Sequence, residues 1–440
     1  MKKLLITCLL LSSVLLGRAQ SNKIDFTEYT LDNGLHVILH QDRSTPIVAV
    51  SVMYHVGSKN EAEDRTGFAH FFEHLMFSGT KNIAPGQFAN LVQQAGGEHN
   101  ANTTADRTYY YEVLPSNQLA LGLWMEAERM QSVKIDQAAV ETQRAVVKEE
   151  KKQRIDNQPY GTILEKAFAN AYTVHPYRWV PIGSDQYIDK ATLQEFTDFY
   201  KTFYVPNNAV LSISGDIDLN NARALIEKYF ANIARGTQQI PRPTVTEPQQ
   251  AQEKREIVFD MVQLPAVVEA YHIPKQGSPD YYAIQMLTNL LANGQSSRLN
   301  KALVDQQQIA TYVGSFPMQM EDPGLYLNFA VANLGKDVGE LENAMDAEIQ
   351  KVKTQPLSDQ EFQKLRNQIE NAMVQKYTTN VGVAEQLANN YLFFNNTNLV
   401  NTELQKYMSV TKADISRVAN DYLTKENRVV LHYLPKTTQN

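Results

Sequence analysis

Apolar positions along the chain alternate in some stretches and recur every three to four residues in others. This predicts short strands interleaved with amphipathic helices. Tyr29-Thr30-Leu31 and Leu35-His36-Val37-Ile38-Leu39 flank Asp32-Asn33-Gly34 and predict a hairpin. Ile47 to His55 (IVAVSVMYH) is an apolar, β-branched run and predicts a central strand. A helix is expected between Thr66-Gly67 and Gly79, and a short one over Phe88 to Ala95, ended by Gly96-Gly97. The Thr- and Tyr-rich stretch Asn100 to Leu114 reads as two strands about a polar turn. Helices follow at Leu119–Gln131, from Asp136 to about Ile155, and at Thr162–Tyr172 and Thr192–Phe203. A strand at Ala209–Ser214 and a helix ending near Phe230 complete this part.

Thr237 to Glu253 (TQQIPRPTVTEPQQAQE) is rich in Pro, Gln and Thr and reads as a linker. Beyond it the order repeats: a strand at Ala266–His272, then a helix over Tyr281–Ala292 ending at Asn293-Gly294. An offset of 215 sets Leu290-Leu291-Ala292-Asn293-Gly294 under Leu75-Met76-Phe77-Ser78-Gly79. At that offset His70, Glu73 and His74 fall on Gln285, Thr288 and Asn289, which points to a duplication whose second copy has no metal ligands. The expected domains are 20–236 and 254–440, joined by 237–253.

Composition narrows the function. At 440 residues the chain is too long for one ordinary core, and 43% hydrophobic with 20% charged residues is a globular balance. The net charge of −7, with no basic stripe, excludes nucleic acid as an expected partner. Lys2-Lys3, the apolar run Leu4–Leu16 and Gly17-Arg18-Ala19 before Gln20 predict a signal peptide over 1–19. Its removal takes the charge to −10 and removes Cys8, the single cysteine, so disulfides and thiolate ligands are excluded. No second apolar run is long enough to span a bilayer. The expectation is an exported protein, periplasmic or secreted.

The chemistry lies in His70-Phe71-Phe72-Glu73-His74. On a helix, positions i and i+4 share a face, so both imidazoles can reach one metal ion, with Glu73 beside it. A catalytic zinc usually takes three protein ligands and keeps one position open. The third is expected on the helix that begins at Asp136. There Gln143, Val147, Glu150 and Arg154 form one stripe, while Glu149 points about 100° away. Glu150 is therefore the expected ligand, with one Zn²⁺ per chain and Glu73 as general base in peptide hydrolysis.

The segment Gly67 to Thr80, with Glu150 in Arg144-Ala145-Val146-Val147-Lys148-Glu149-Glu150, resembles the pitrilysin/insulinase metallopeptidases, the inverzincins. It most resembles the branch that holds the mitochondrial processing peptidase subunits and their bacterial relatives. The resemblance implies an α+β fold of two homologous domains, each a mostly antiparallel sheet packed against helices, forming half of a clamshell. It implies that Asn100 and Ala101 lie on an edge strand that binds substrate backbone by strand addition. It also implies outer support for the metal site from Gln143, where the family often has a glutamate.

Active members of the family use an Arg/Tyr pair from a domain without ligands. In the matching stretch, Leu303 to Tyr312, the arginine position holds Asp305, Tyr312 is retained, and Arg298 reads as structural. The expected partner is a second homologous chain, in a homodimer or in a heterodimer with a chain that lacks the zinc motif and supplies that pair. The alternative is a non-catalytic binding or assembly subunit of the same fold.

Overall fold

The computed structural model describes residues 23–318 and 320–436; the signal-peptide expectation over 1–19, with Cys8, lies outside the described residues. The hairpin pattern near the start produces β1 (Thr27–Thr30) and β2 (His36–Gln41), paired antiparallel. Their turn is held by Asn33, whose amide donates to the carbonyls of Phe230 and Ile233 at 2.8 and 3.0 Å. The other strands of this sheet are β3 (Ile47–Tyr54), β4 (Glu98–Thr103), β5 (Thr108–Pro115) and β6 (Ala209–Gly215). Their spatial order is β1-β2-β6-β3-β5-β4, which leaves β4 as an edge.

The second sheet is built from β7 (Lys254–Asp260), β8 (Ala266–Ile273), β9 (Ala310–Pro317), β10 (Gly324–Ala332) and β11 (Arg428–Pro435), in the order β7-β11-β8-β10-β9. Its topology repeats that of the first sheet. β2–β6 and β7–β11 are the parallel pairs, and the remaining ladders are antiparallel. β4 and β9 occupy the same outer position. The protein is thus α+β with a duplicated sheet, as the residue offset predicts.

Each sheet packs one face on helices of its own half. For the first sheet these include Phe68–Leu75, Leu193–Phe203 and Leu219–Phe230; for the second, Pro279–Ala292, Val338–Thr354 and Lys412–Tyr422. The other faces are covered crosswise. Val383, Leu387 and Ala388, on the helix Asn380–Phe394, lie on Ile38, Met53, Tyr109 and Val210 of the first sheet. Ala167, Phe168 and Ala171, on the helix Ile163–Ala171, lie on Val268, Leu327, Leu431 and neighbours of the second. Each half therefore closes the other's core. Residues 237–253 carry no helix or strand.

Several expected boundaries shift. The metal-motif helix spans Phe68–Leu75, with Gly79 beyond its end, and the 215-offset helix starts at Pro279, before Tyr281. The helix expected from Asp136 to Ile155 is α-helical over Gln137–Lys151 and then widens through Asp156, where Asn157 N donates to Lys152 O at 2.9 Å, five residues back.

Candidate metal centre

The Phe68–Leu75 helix has two distinct faces. Phe68, Phe71, Phe72 and Leu75 are buried, and Phe68 and Phe71 stack on Phe196 at 4.6 and 4.5 Å. That anchoring presents His70, Glu73 and His74 on the other face. Gly67 opens the helix at φ 99°, a conformation that glycine adopts without side-chain strain. Glu61 caps it by accepting from Gly67 N at 2.9 Å and Ala69 N at 2.8 Å, which satisfies two free helix donors. Burial pushes the Glu61 carboxyl up to about 8, against the pull of those backbone N–H groups.

The Gln137–Lys151 helix brings the third group. Val140 and Val147 are buried, which turns Glu150 inward and leaves Glu149 at the surface. Glu150 Oε2 lies 2.9 Å from His74 Nε2 and 3.7 Å from His70 Nε2, and the two Nε2 atoms are 3.3 Å apart. All three candidate ligand atoms lie within 4.8 Å of one another. Two nitrogens bound to a tetrahedral zinc at ~2.0–2.1 Å stand about 3.3–3.4 Å apart. The observed spacing, two nitrogens and one carboxylate oxygen therefore fit that ion. Burial drives the His70 imidazole down to about 3, aided by His74 and Arg154, and burial also lowers His74, against the attraction of Glu150. Both shifts favour the neutral imidazole, the form that ligates.

Three polar contacts complete the site. Arg154 Nη1 meets the second oxygen of Glu150 at 2.6 Å, reaching back one turn from the widened helix end. Thr103, at the end of β4, donates its hydroxyl to Glu73 Oε2 at 2.6 Å. Burial raises the Glu73 carboxyl, and the Thr103 hydrogen bond opposes that shift. Tyr110 donates to Phe72 O at 3.1 Å and ties β5 to the helix.

The structure brings His70, Glu73, His74 and Glu150 together. Asn100 and Ala101 lie on the free edge of β4; the Asn100 side chain points outward, and its Oδ1 accepts from Ala101 N at 2.8 Å. Gln143 donates to Ser78 Oγ at 3.0 Å, in the wall of a cavity of about 450 Å³ beside His74, while Arg154 takes up the outer oxygen of Glu150. Tyr312 sits exposed on β9 of the second sheet, against Phe329. Arg298 pairs with Glu361 at 3.1 Å. Glu61 and Thr103 escaped the sequence reading because their partners are six and thirty residues away. Arg154 was on the same helical stripe, and its i,i+4 spacing to Glu150 is a readable ion-pair signal.

Residues 36–178, which include the three converging groups and Glu73, match the family described as Insulinase (Peptidase family M16), and residues 190–369 match the Peptidase M16 inactive domain. The chain is 32% identical to the zinc protease PqqE of Helicobacter pylori over 421 residues, covering 94% of this chain and 95% of that protein. It belongs to the M16 peptidase family. The crystal structure of a protease from Helicobacter pylori superposes with a TM-score of 0.90 at 31% identity, over 94% of this chain and 100% of that one. Among other M16 relatives, a probable mitochondrial-processing peptidase β subunit of Arabidopsis thaliana is 23% identical, over 90% of this chain and 75% of that protein. The periplasmic protease PqqL of Escherichia coli has the same fold with a TM-score of 0.76 at 19% identity; this M16 chain covers 47% of PqqL. Among the described residues no helix is long and apolar enough to cross a membrane.

Proposed function

We propose that the chain is an exported zinc-dependent endopeptidase that hydrolyses extended peptides. The observation that carries the reading is the convergence of His70, His74 and Glu150 beside Glu73. In this reading His70, His74 and Glu150 hold one zinc ion, which would polarise the scissile carbonyl and acidify a water molecule. Glu73, as general base, would take a proton from the attacking water and deliver it to the leaving amine. Thr103 holds the Glu73 carboxylate in place, and Arg154 does the same for Glu150. The open edge of β4, at Asn100 and Ala101, pairs with the peptide backbone, so the substrate must be extended. Tyr312 and Gln143 have the supporting roles expected from the sequence, in substrate binding and behind the metal site.

Residues 20–236 and 254–440, joined by 237–253, form half of a clamshell, closed by a second homologous chain in a homodimer or heterodimer. The match to about half of PqqL supports a half-sized unit. Export rests on the basic and apolar pattern of residues 1–19. Mature protein recovered from the periplasm or medium should begin at Gln20.

The deciding experiment compares zinc content and peptide cleavage in wild type, Glu73→Gln and His70→Ala. Wild type should bind one zinc and cleave. Glu73→Gln should keep the zinc and lose about 10²–10⁴-fold in turnover. His70→Ala should lose the zinc. A second reading, a non-catalytic subunit, draws support from the match of residues 190–369 to the inactive domain. Zinc binding without cleavage, alone or with a homologous partner chain, would favour it.

A further inference from the structure

A cavity of about 320 Å³ lies where the two halves meet. The turn between β4 and β5 forms one wall, through Thr104, Asp106 and Arg107. The second half forms the others, from the helices Pro279–Ala292, Asp359–Lys376, Asn380–Phe394 and Leu399–Met408. None of the three candidate metal ligands lines it, and neither do Glu73, Thr103 or Arg154. Its volume is at the lower end of the range of about 300–1,000 Å³ typical of ligand pockets, which suits a small molecule.

Some of the charges in its walls are already used by the protein. Arg107 donates to Asn102 Oδ1 and to Glu385 Oε1, both at 2.6 Å. Asp106 pairs with Lys59 at 3.0 Å and accepts from Tyr177 Oη at 2.6 Å. Three groups remain. Glu403 and Lys376 line the cavity from helices that pack together, and among the described residues neither makes an ion pair or a side-chain hydrogen bond. Asn390 is only 4% exposed, and its Nδ2 has no hydrogen-bond partner among the described residues. A buried donor without an acceptor is destabilising, so this amide calls for an oxygen. Burial raises the Glu403 carboxyl, against the pull of Lys376 and Lys406, so its charge is incompletely balanced.

A carboxylate, an ammonium and an amide N–H thus share one small space. A ligand that answers all three carries an ammonium group for Glu403 and a carboxylate for Lys376 and Asn390 Nδ2. An inorganic anion would be repelled by Glu403, and a metal ion by Lys376. The amides of Gln276, Gln386 and Asn389 also line the cavity and can donate to or accept from a polar side chain. We infer that this cavity binds a free α-amino acid with a polar side chain, its ammonium on Glu403 and its carboxylate on Lys376 and Asn390. Binding to the folded chain alone would also raise that chain's stability. The inference does not depend on the peptidase reading.

The test is calorimetric titration of the zinc-loaded full chain with L-glutamine, L-asparagine and L-serine, each beside its N-acetyl and its α-amide derivative. At least one free amino acid should bind saturably and raise the melting temperature. Its two derivatives, each with one charge removed, should bind about tenfold more weakly or worse. Glu403→Gln and Lys376→Met should weaken the free amino acid to a similar extent, with zinc content unchanged. Lys376 is exposed at the end of its helix, so Lys376→Met leaves the core intact and keeps the test valid should Glu403→Gln fail to fold. Absence of binding by all three amino acids overturns the inference. So does equal binding by the blocked derivatives. Binding that is undiminished in Lys376→Met also overturns it, since it would place the amino acid elsewhere, as on the zinc.

Discussion

Glu73 is held by one side chain, the hydroxyl of Thr103 at 2.6 Å, and Glu150 is split between the histidines and Arg154 at 2.6 Å. A hydrogen bond to a charged group contributes about 1.5–3 kcal/mol. Thr103→Val removes the donor while keeping the shape. It should lower kcat/KM by about tenfold or more through kcat, with zinc content unchanged, as steady-state kinetics and metal analysis can show. The motif histidines and both glutamates were legible because they share a helix face with a fixed period. Thr103 was not, because its contact with Glu73 joins a strand end to a helix.

Elements decide how the half that carries the candidate metal centre meets the other half. The turn joining β9 to β10 carries Glu321 and Asp322 onto Lys59, which is almost fully buried. His55 Nε2 also faces Glu321, at 2.8 Å, and His175 Nε2 faces Asp322, at 3.5 Å. The Glu321 carboxyl sits at about 2, where burial is overcome by the His55 hydrogen bond and by Lys59. Asp322 also sits at about 2, through its hydrogen bond to His175 and the charge of Lys59, against burial. The unfolded values are about 4.3 and 3.9. Both groups are depressed in the folded state, so their contribution is present above the unfolded values. It is lost as pH falls from about 5 towards 2. Urea midpoints should fall through that window in wild type, and more shallowly in Lys59→Met, which begins from a lower stability.

At the scale of the whole molecule the two halves are interlocked. The helix Asn380–Phe394 covers the outer face of the first sheet, and Ile163–Ala171 covers that of the second. Leu387→Ala, at a fully buried site on a helix of the second half, should lower stability by about 2–5 kcal/mol in denaturant titrations. The interlock also predicts that residues 20–236 expressed alone do not form a stable monomer. Ile38, Met53, Tyr109 and Val210 would face water, so this fragment should bind a hydrophobic dye or aggregate, while the full chain unfolds in one transition.

The sequence by itself determined the features that are local and periodic. The i,i+4 histidines, the stripe that turns Glu150 inward, the hairpin at Asp32-Asn33-Gly34 and the 215-residue offset all follow from the repeats of helices and strands. It also anticipated the paired domains, since a repeated strand and helix order implies a repeated sheet. Tertiary structure alone decided the rest. Glu61 on the helix start, Thr103 on Glu73, the Lys59 clamp and the crosswise helices join residues far apart in the chain. Burial at such contacts sets the low value of His70 and the raised values of Glu61 and Glu73, because desolvation depends on what packs around a group and not on its neighbours in sequence.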